Sequence, residues 1–569
     1  MNLKTFWIVF FVLLIIAATT RLLHLTEFFP NLDDTHVLYA IFFKYDELKQ
    51  KIYAPENETK PLFQILRTLD SYGIVELIYR PLSVSFLTTF APMQFFITHL
   101  LTSLEDSYQS LLWWGRIPSV FFAIVAIANI GLYFLLSPHQ EKKILFIPAM
   151  TLMAFSWESI IASQQMHNYC AGLAAISFLI LATRKNFQLT SWKQAIFLGS
   201  IVGFFSWWQY SMMYYGASLL LYFFLNDAKK KSSLQKVLRY WFITGICFVG
   251  VISPLLLILK YTGVLHMSTN YWNIGDNEEY LFKFPDNFLE FPIYALKFFT
   301  LNFFETFSAI TAFTAYQSTS YYLFSIVLFL LFVIGCAACL FSYKEKTIAF
   351  IEFTSITASV LIALILMQKL TLSPTRHQLT LLPFLVILIS YGLKFLLDIS
   401  KITQKVQLFA VLSFSFLVAI WFMMHYPEEQ SKRKALYTEK DFKEFLQNAP
   451  QKPVLIEYAW TTVAQLMTDV KKEYFVFTAK NLENLPISYP ENTQSVIAFN
   501  FLGNSPSSDS VWFVKMMQPI CPSIKFDEIQ IDTLRAIQTA HSFGYISMQK
   551  MLKNNMYVYK LSLKENCRD

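Results

Sequence analysis

Glycine is scarce in this chain, with 15 residues in 569, and that scarcity argues against a glycine-rich phosphate cradle or a dinucleotide-binding turn. No Walker loop, no His-Glu-x-x-His pair and no Gly-x-Ser-x-Gly elbow occurs, so the common signatures of nucleotide hydrolysis, zinc proteolysis and α/β-hydrolase chemistry are missing. The nine histidines do not cluster at metal-ligand spacing. Charge is thin as well: Asp, Glu, Lys and Arg make up 15% of the residues, too few to solvate a water-soluble protein of this size. The net charge of +7 is too modest for a nucleic-acid footprint, and no nucleic-acid partner is expected. It reads better as a topology signal.

What fills the chain instead is hydrocarbon and aromatic surface. Hydrophobic residues make up 55%, with 57 Phe and 30 Tyr, more than one soluble core can absorb. The expected fold is a polytopic α-helical protein whose first partner is the lipid bilayer. Apolar runs long enough to span, about 20 residues at 1.5 Å rise, begin near Phe6, Ile117, Ile144, Leu238, Tyr321, Ile348, Leu379 and Leu408. The nearly continuous stretch 167–225 is divided into about three more by the basic segment 184–193 and the polar, aromatic point Ser206-Trp207-Trp208-Gln209-Tyr210. The total is about eleven transmembrane helices. The first run leads straight into Arg21 without a small-residue cleavage site and is read as a retained anchor.

Orientation turns on residues 81–101, a run that contains Pro92, hydroxyl side chains and His99. If it lies along the outer interface, the basic loops 139–143, 184–193, 229–236, 344–346 and 401–405 all share the side of the N-terminus, as the positive-inside rule requires. On that reading the N-terminus is cytoplasmic, and residues 24–115 form a large external loop with juxtamembrane helices. The transmembrane domain is then 1–425, and 426–569 form an extracytoplasmic α/β domain, with strand-like runs at 454–458, 474–478, 495–501 and 557–563 and helical spacing in 461–470. The short loops and the compact external domain favour a bacterial inner membrane. Cys521 and Cys567 are the two cysteines of that domain, where an oxidising compartment would let them pair. Cys336 and Cys339 fall in an apolar span and read as packing.

The residues with chemical promise lie on the expected outer face. Asp33 and Asp34 stand just beyond the first span, at the start of the helical pattern Val37, Ile41, Tyr45, Leu48. They either cap a juxtamembrane helix, whose N-terminal amides favour negative charge, or supply a general base at a costly boundary position. Arg80, before Pro81 and Leu82, either snorkels or binds a phosphate oxygen. Arg376 and His377 precede a span; that Arg lies on the side disfavoured for positive charge, where an anionic head group or phosphate would be its partner.

These residues, in this order, resemble a known family. Asp33-Asp34 after the first span, Arg80-Pro81-Leu82 before an apolar run, Trp114-Gly115-Arg116-Ile117-Pro118-Ser119 opening a span, and Arg376 ahead of Leu381-Leu382-Pro383 are similar to the GT-C membrane glycosyltransferases, in particular the protein O-mannosyltransferase and aminoarabinose-transferase group. The resemblance implies a polyprenyl-phosphate sugar donor, a glycan, lipid or protein acceptor, and an extracytoplasmic active site. It also implies an acidic pair whose first Asp is the catalytic base; Arg80, Arg376 and His377 are then the residues expected to bind the donor phosphate. The family's pair is usually Asp-Glu, and here it is Asp-Asp.

The stretch Ser163-Gln164-Gln165-Met166-His167-Asn168-Tyr169 resembles the family's polar break between spans. His167, with Arg116, would orient substrate there, or His167 would simply be satisfied by water. No cofactor is implied; a divalent ion held by Asp33, Asp34 and the donor phosphate is the alternative. Two other functions are compatible with the sequence: a lipid-linked-sugar flippase or transporter, which would call for paired repeats and mid-span charges, and a non-catalytic envelope assembly protein.

Overall fold

The computed structural model describes residues 3–26, 91–102, 108–184, 188–230, 234–261, 281–311, 319–341, 348–372 and 376–435, single helical residues at 37 and 64, and five strands between 454 and 563. The helices are α1 (Leu3–Leu22), α2 (Pro92–Thr102), α3 (Tyr108–Leu135), α4 (Gln140–Lys143), α5 (Phe146–Phe155), α6 (Trp157–Ser163), α7 (Tyr169–Ala182), α8 (Trp192–Phe204), α9 (Met212–Lys230), α10 (Leu234–Tyr261), α11 (Phe291–Thr311), α12 (Thr319–Phe341), α13 (Ile348–Leu366), α14 (Leu382–Ile399) and α15 (Gln404–Ala435). A helix closes its own backbone hydrogen bonds, which is the requirement for a chain immersed in hydrocarbon.

Seven helices among the described residues are long and apolar enough to cross a membrane, or eight crossings if the bent pair Glu141–Phe155 and Trp157–Ser163 is one span. The protein is therefore an integral membrane protein of polytopic helical type. The expected eleven spans are not reached by this measure, for physical reasons that differ between segments. The 14 residues of α7 and the 13 of α8 extend only about 20 Å at 1.5 Å per residue, against a hydrocarbon thickness of about 30 Å. α9 has 19 residues but ends in the polar sequence Asn226-Asp227-Ala228-Lys229-Lys230. α2 has 11 residues, about 17 Å, so the described part of the ambiguous run 81–101 does not span.

The helices bury one face and offer the other to lipid. On α1, Phe6, Phe10, Ala17 and Arg21 are buried while Ile8, Phe11, Val12, Ile15 and Ile16 are exposed, a helical stripe of the kind periodicity dictates. The centre of the bundle is α5, with all ten residues buried, and α14, buried from Leu382 to Gly392.

Contacts between helix ends sort the loops. Phe6 meets Phe146 at 5.9 Å, Arg184 lies 3.9 Å over the Tyr133 ring, and Tyr133 meets Phe350 at 5.7 Å. Lys229 bonds Glu352 at 3.0 Å. Lys142, Ala338, Lys394 and Gln404 line one cavity. The helix ends that flank all five basic loops thus gather with the N-terminus at one end of the bundle. At the other end, α11 runs along the bundle: Phe298 packs with Ile365 and Leu372, and Ile310 accepts a hydrogen bond from Ser156.

Beyond Ala435 the described residues are strands β1 (Val454–Glu457), β2 (Tyr474–Phe477), β3 (Val496–Asn500), β4 (Ile529–Gln538) and β5 (Asn555–Leu563). β1 and β2 pair in parallel, while β3 and β4 flank β5 antiparallel. Four of the five coincide with the strand-like runs of the sequence. β4 was not among them, although Ile529, Ile531 and Thr533 alternate; a bulge between Thr533 and Arg535 then breaks the period of two. Residues 461–470, Cys521 and Cys567 lie outside the described residues.

Scarce glycine leaves two marks. Among the described residues three non-glycine residues have positive φ, His24 (61°), Gln368 (57°) and Lys401 (50°), and each follows a helix C-terminus by two positions, the place glycine commonly takes. At two of the glycines, helices touch. A Cβ on Gly335 would lie 1.9 Å from the Leu388 carbonyl oxygen, and one on Gly392 1.9 Å from that of Leu331, so α12 and α14 approach backbone to backbone. Gly335→Ala should lower stability in detergent by about 1–3 kcal/mol through overpacking, whereas Gly245→Ala, with nothing within 4 Å, should be neutral or gain up to about 1 kcal/mol. Thermal unfolding of the two purified variants measures both, and equal midpoints would contradict the close approach.

Candidate functional site

The polar side chains of the bundle concentrate where α1 ends and the α5–α6 helix pair breaks. α5 and α6 are bent by 58° at Ser156, leaving orphan carbonyls at the C-terminus of one helix and orphan amides at the N-terminus of the next. Ser156 caps α6, accepting from the Ser159 amide, while its hydroxyl donates to the Ile310 carbonyl at 2.7 Å. Arg21, fully buried, serves the other side of the break. Its Nη1 donates to the Ala154 carbonyl at 3.0 Å and to its own helix at Ala17 at 3.1 Å, and its Nη2 to the Met153 carbonyl at 3.1 Å and to Ser159 Oγ at 3.0 Å. A cation thus sits on the C-terminal carbonyls of α5, and Glu158, also buried, occupies the first turn of α6. Each is the charge that the adjacent helix dipole favours.

The chain leaving α1 is held by two more buried groups. Gln164 Nε2 donates to the Arg21 carbonyl at 3.2 Å and to the Leu23 carbonyl at 3.1 Å. Arg116, expected as a substrate-orienting residue, is 1% exposed, and its Nη1 donates to the Leu25 carbonyl at 2.6 Å. Asp33 follows eight residues later. From Leu25 it can reach at most about 29 Å along an extended chain.

His167 lies in the turn between α6 and α7. Its carbonyl accepts from Gln94 and, at 3.0 Å, from Ser119; Gln94 Nε2 also donates to Ser119 Oγ at 2.6 Å. The imidazole stacks on Tyr169 with centroids 3.7 Å apart and meets Phe95 edge-on at 6.4 Å. It is 1% exposed, so in this conformation the ring is packed inside the site wall and not open at a mouth.

Arg376 opens a short 3₁₀ turn, Arg376–Leu381, which also contains His377 and packs against α6 and α7. Within that turn Thr380 Oγ1 and the Tyr215 hydroxyl are 3.0 Å apart, and Gln378 donates to the Thr371 carbonyl at 2.8 Å. The backbone of Arg376 and His377 therefore joins the same end of the bundle as Arg21, Arg116 and His167. The side chains of Arg376 and His377 lie outside the described residues, as do Asp33, Asp34 and Arg80. Of the helical pattern after the acidic pair only Val37 is described, and it is helical and buried.

No family model matches this sequence, and no curated protein matches it either. Among the described residues no group of three or more His, Cys, Asp or Glu is arranged to hold a metal ion.

Sequence reasoning missed Arg21, Gln94 and Glu158, and took Gln164 only as part of the polar break. For Arg21 a signal existed: it continues the buried stripe Phe6, Phe10, Ala17, so helical phase alone turns it inward. Arg21→Ala would leave two carbonyls unpaired in a dry interior and should lower stability by about 2–4 kcal/mol. Arg21→Lys should lose about 1–2 kcal/mol, since an ammonium cannot span the four acceptors of the guanidinium fork. Unfolding midpoints unchanged in both variants would overturn the role of Arg21 at the break.

Proposed function

We propose that this protein is a membrane glycosyltransferase of the GT-C type, moving a sugar from a polyprenyl-phosphate donor to an acceptor hydroxyl on the extracytoplasmic side. The observation that carries the reading is the gathering, at one end of the bundle, of the α1 exit, Arg116, His167 and the turn opened by Arg376, opposite the end that collects the basic loops. With the basic end cytoplasmic, the polar end faces out. Eleven crossings result if α7, α8 and α9 are counted as short spans lengthened by their flanking residues, such as the 3₁₀ turn Phe205–Trp207 after α8, and added to the seven spans and the bent pair. The strands after Ala435 belong to an extracytoplasmic α/β domain, and the membrane is a bacterial inner membrane.

In this mechanism Asp33 takes the proton of the acceptor hydroxyl as that oxygen attacks the anomeric carbon. The bond to the phosphate oxygen breaks as the new glycosidic bond forms, and a single displacement inverts the anomeric centre. Arg80, with Arg376 and His377, stabilises the departing polyprenyl phosphate. Arg21, Gln164 and Arg116 act through the backbone: they fix the exit of α1 and so the anchor from which the acidic pair is hung. His167 holds the α6–α7 turn against α2 and α3 through its carbonyl.

A second reading, a lipid-linked-sugar transporter, is favoured by one observation: the bent α5–α6 pair, because discontinuous helices line the substrate sites of many transporters. The two readings separate on Asp33→Asn and Asp34→Asn, since Asn caps a helix about as well as Asp but cannot accept the proton. Loss of a general base lowers the rate by about 10²- to 10⁴-fold, and Asp33→Asn should be the more damaging. Sugar transfer by the purified protein, assayed with a polyprenyl-phosphate donor, measures this. Wild-type rates in both mutants would make the pair a helix cap and sink the base assignment.

A further inference from the structure

The end of the bundle opposite the polar site holds a cavity of about 360 Å³, within the range of sites that bind small molecules. It lies where α12, α14 and α15 end and α4 caps them, and it is lined by charges of both signs: Lys142 and Lys394, Glu141 and Asp398. Gln404, Gln407, Tyr391, Cys339, Ala338 and Phe395 complete the wall. Asp398 Oδ1 is shared between Lys394 and Gln407 Nε2, the latter at 3.2 Å, so the acidic rim is already organised by its neighbours.

The lining narrows the occupant. Among the described lining residues two carboxylates oppose a lone anion, two ammonium groups oppose a metal cation, and the charged rim disfavours a wholly apolar molecule. A molecule carrying a phosphate and an ammonium together meets both signs, the phosphate on Lys142 and the ammonium on Asp398 and on Glu141, whose Oε1 lies 3.5 Å from His139 Nδ1. The surroundings favour a lipid as the source. Beside the lining residues, at the ends of the same three helices, Leu340 (65%), Phe341 (81%), Ile399 (60%) and Phe409 (71%) stand exposed, ready to lie along acyl chains.

We propose that this cavity binds the head group of a bilayer phospholipid bearing a primary amine, of the phosphatidylethanolamine type, with its acyl chains along α12, α14 and α15. A primary ammonium donates hydrogen bonds to the carboxylates. A quaternary choline has no N–H to donate, and a glycerol head group brings no positive charge. The site therefore discriminates among lipids by the amine.

The test uses the full chain, purified and delipidated in detergent, titrated with dioctanoyl phosphatidylethanolamine, phosphatidylcholine and phosphatidylglycerol and with soluble phosphoethanolamine. The ethanolamine lipid should bind about tenfold more tightly than the other two lipids, the discrimination expected of a charge-assisted hydrogen bond, and at least tenfold more tightly than the soluble head group. Glu141→Gln combined with Asp398→Asn should erase the preference for the amine, and Lys142→Gln should weaken all three lipids. Equal affinities for the ethanolamine and choline lipids, a preference for phosphatidylglycerol, soluble phosphoethanolamine binding as tightly as the lipid, or a preference surviving in the double variant would each overturn the proposal. The wild-type ranking alone is decisive should a variant fold poorly.

Discussion

A guanidinium fully buried at the end of the first helix has to find partners within the protein, because an unpartnered buried charge is costly. Arg21 meets that demand with the carbonyls that the break between α5 and α6 leaves unpaired, so the buried charge and the broken helix stabilise each other. An unbroken helix would offer Arg21 no carbonyls, and an apolar residue at position 21 would leave the break exposed in a dry interior. The remaining contacts of this end follow from the pair. Gln164, one residue beyond α6, reaches back to the carbonyls of residues 21 and 23, and Arg116 holds the carbonyl of Leu25.

This arrangement gives the bundle two unlike ends. One collects the helix ends that flank the basic loops, and the cavity edged by Lys142 and Lys394. The other collects buried polar groups that bond mainly to backbone, as in a scaffold that fixes the path of a chain. Under the proposed function, the segment that follows α1 would start from a backbone position that these bonds fix. That division of labour is consistent with a loop acting at the surface of a rigid bundle.

Much of this was legible in the sequence, and the parts that were not have specific causes. Composition and 20-residue hydrophobicity are additive properties of local chain, so the membrane class and the positions of the long spans could be read directly. The division of 167–225 by a basic stretch and a polar point was also legible, but the resulting helices are shorter than a span, and length alone could not count them. Arg116 and His167 were singled out for their side chains, yet a hydrogen bond described for each involves a backbone carbonyl: that of Leu25 for the first, its own for the second. Partnerships of that kind join residues 91 and 73 positions apart and leave no local pattern. The inward turn of Arg21 could have been found from helical phase; its acceptors, 132 and 133 positions away, could not.

The central claim, that the polar end serves a lipid-linked sugar, is tested most directly by what the protein carries from its own membrane. Lipid extracted from protein purified in mild detergent and analysed by mass spectrometry should contain a polyprenyl-phosphate sugar, and that species should be depleted in Arg80→Ala protein recovered at equal yield. Bulk phospholipid alone, with no polyprenyl phosphate retained even after the donor is added back, would contradict the account.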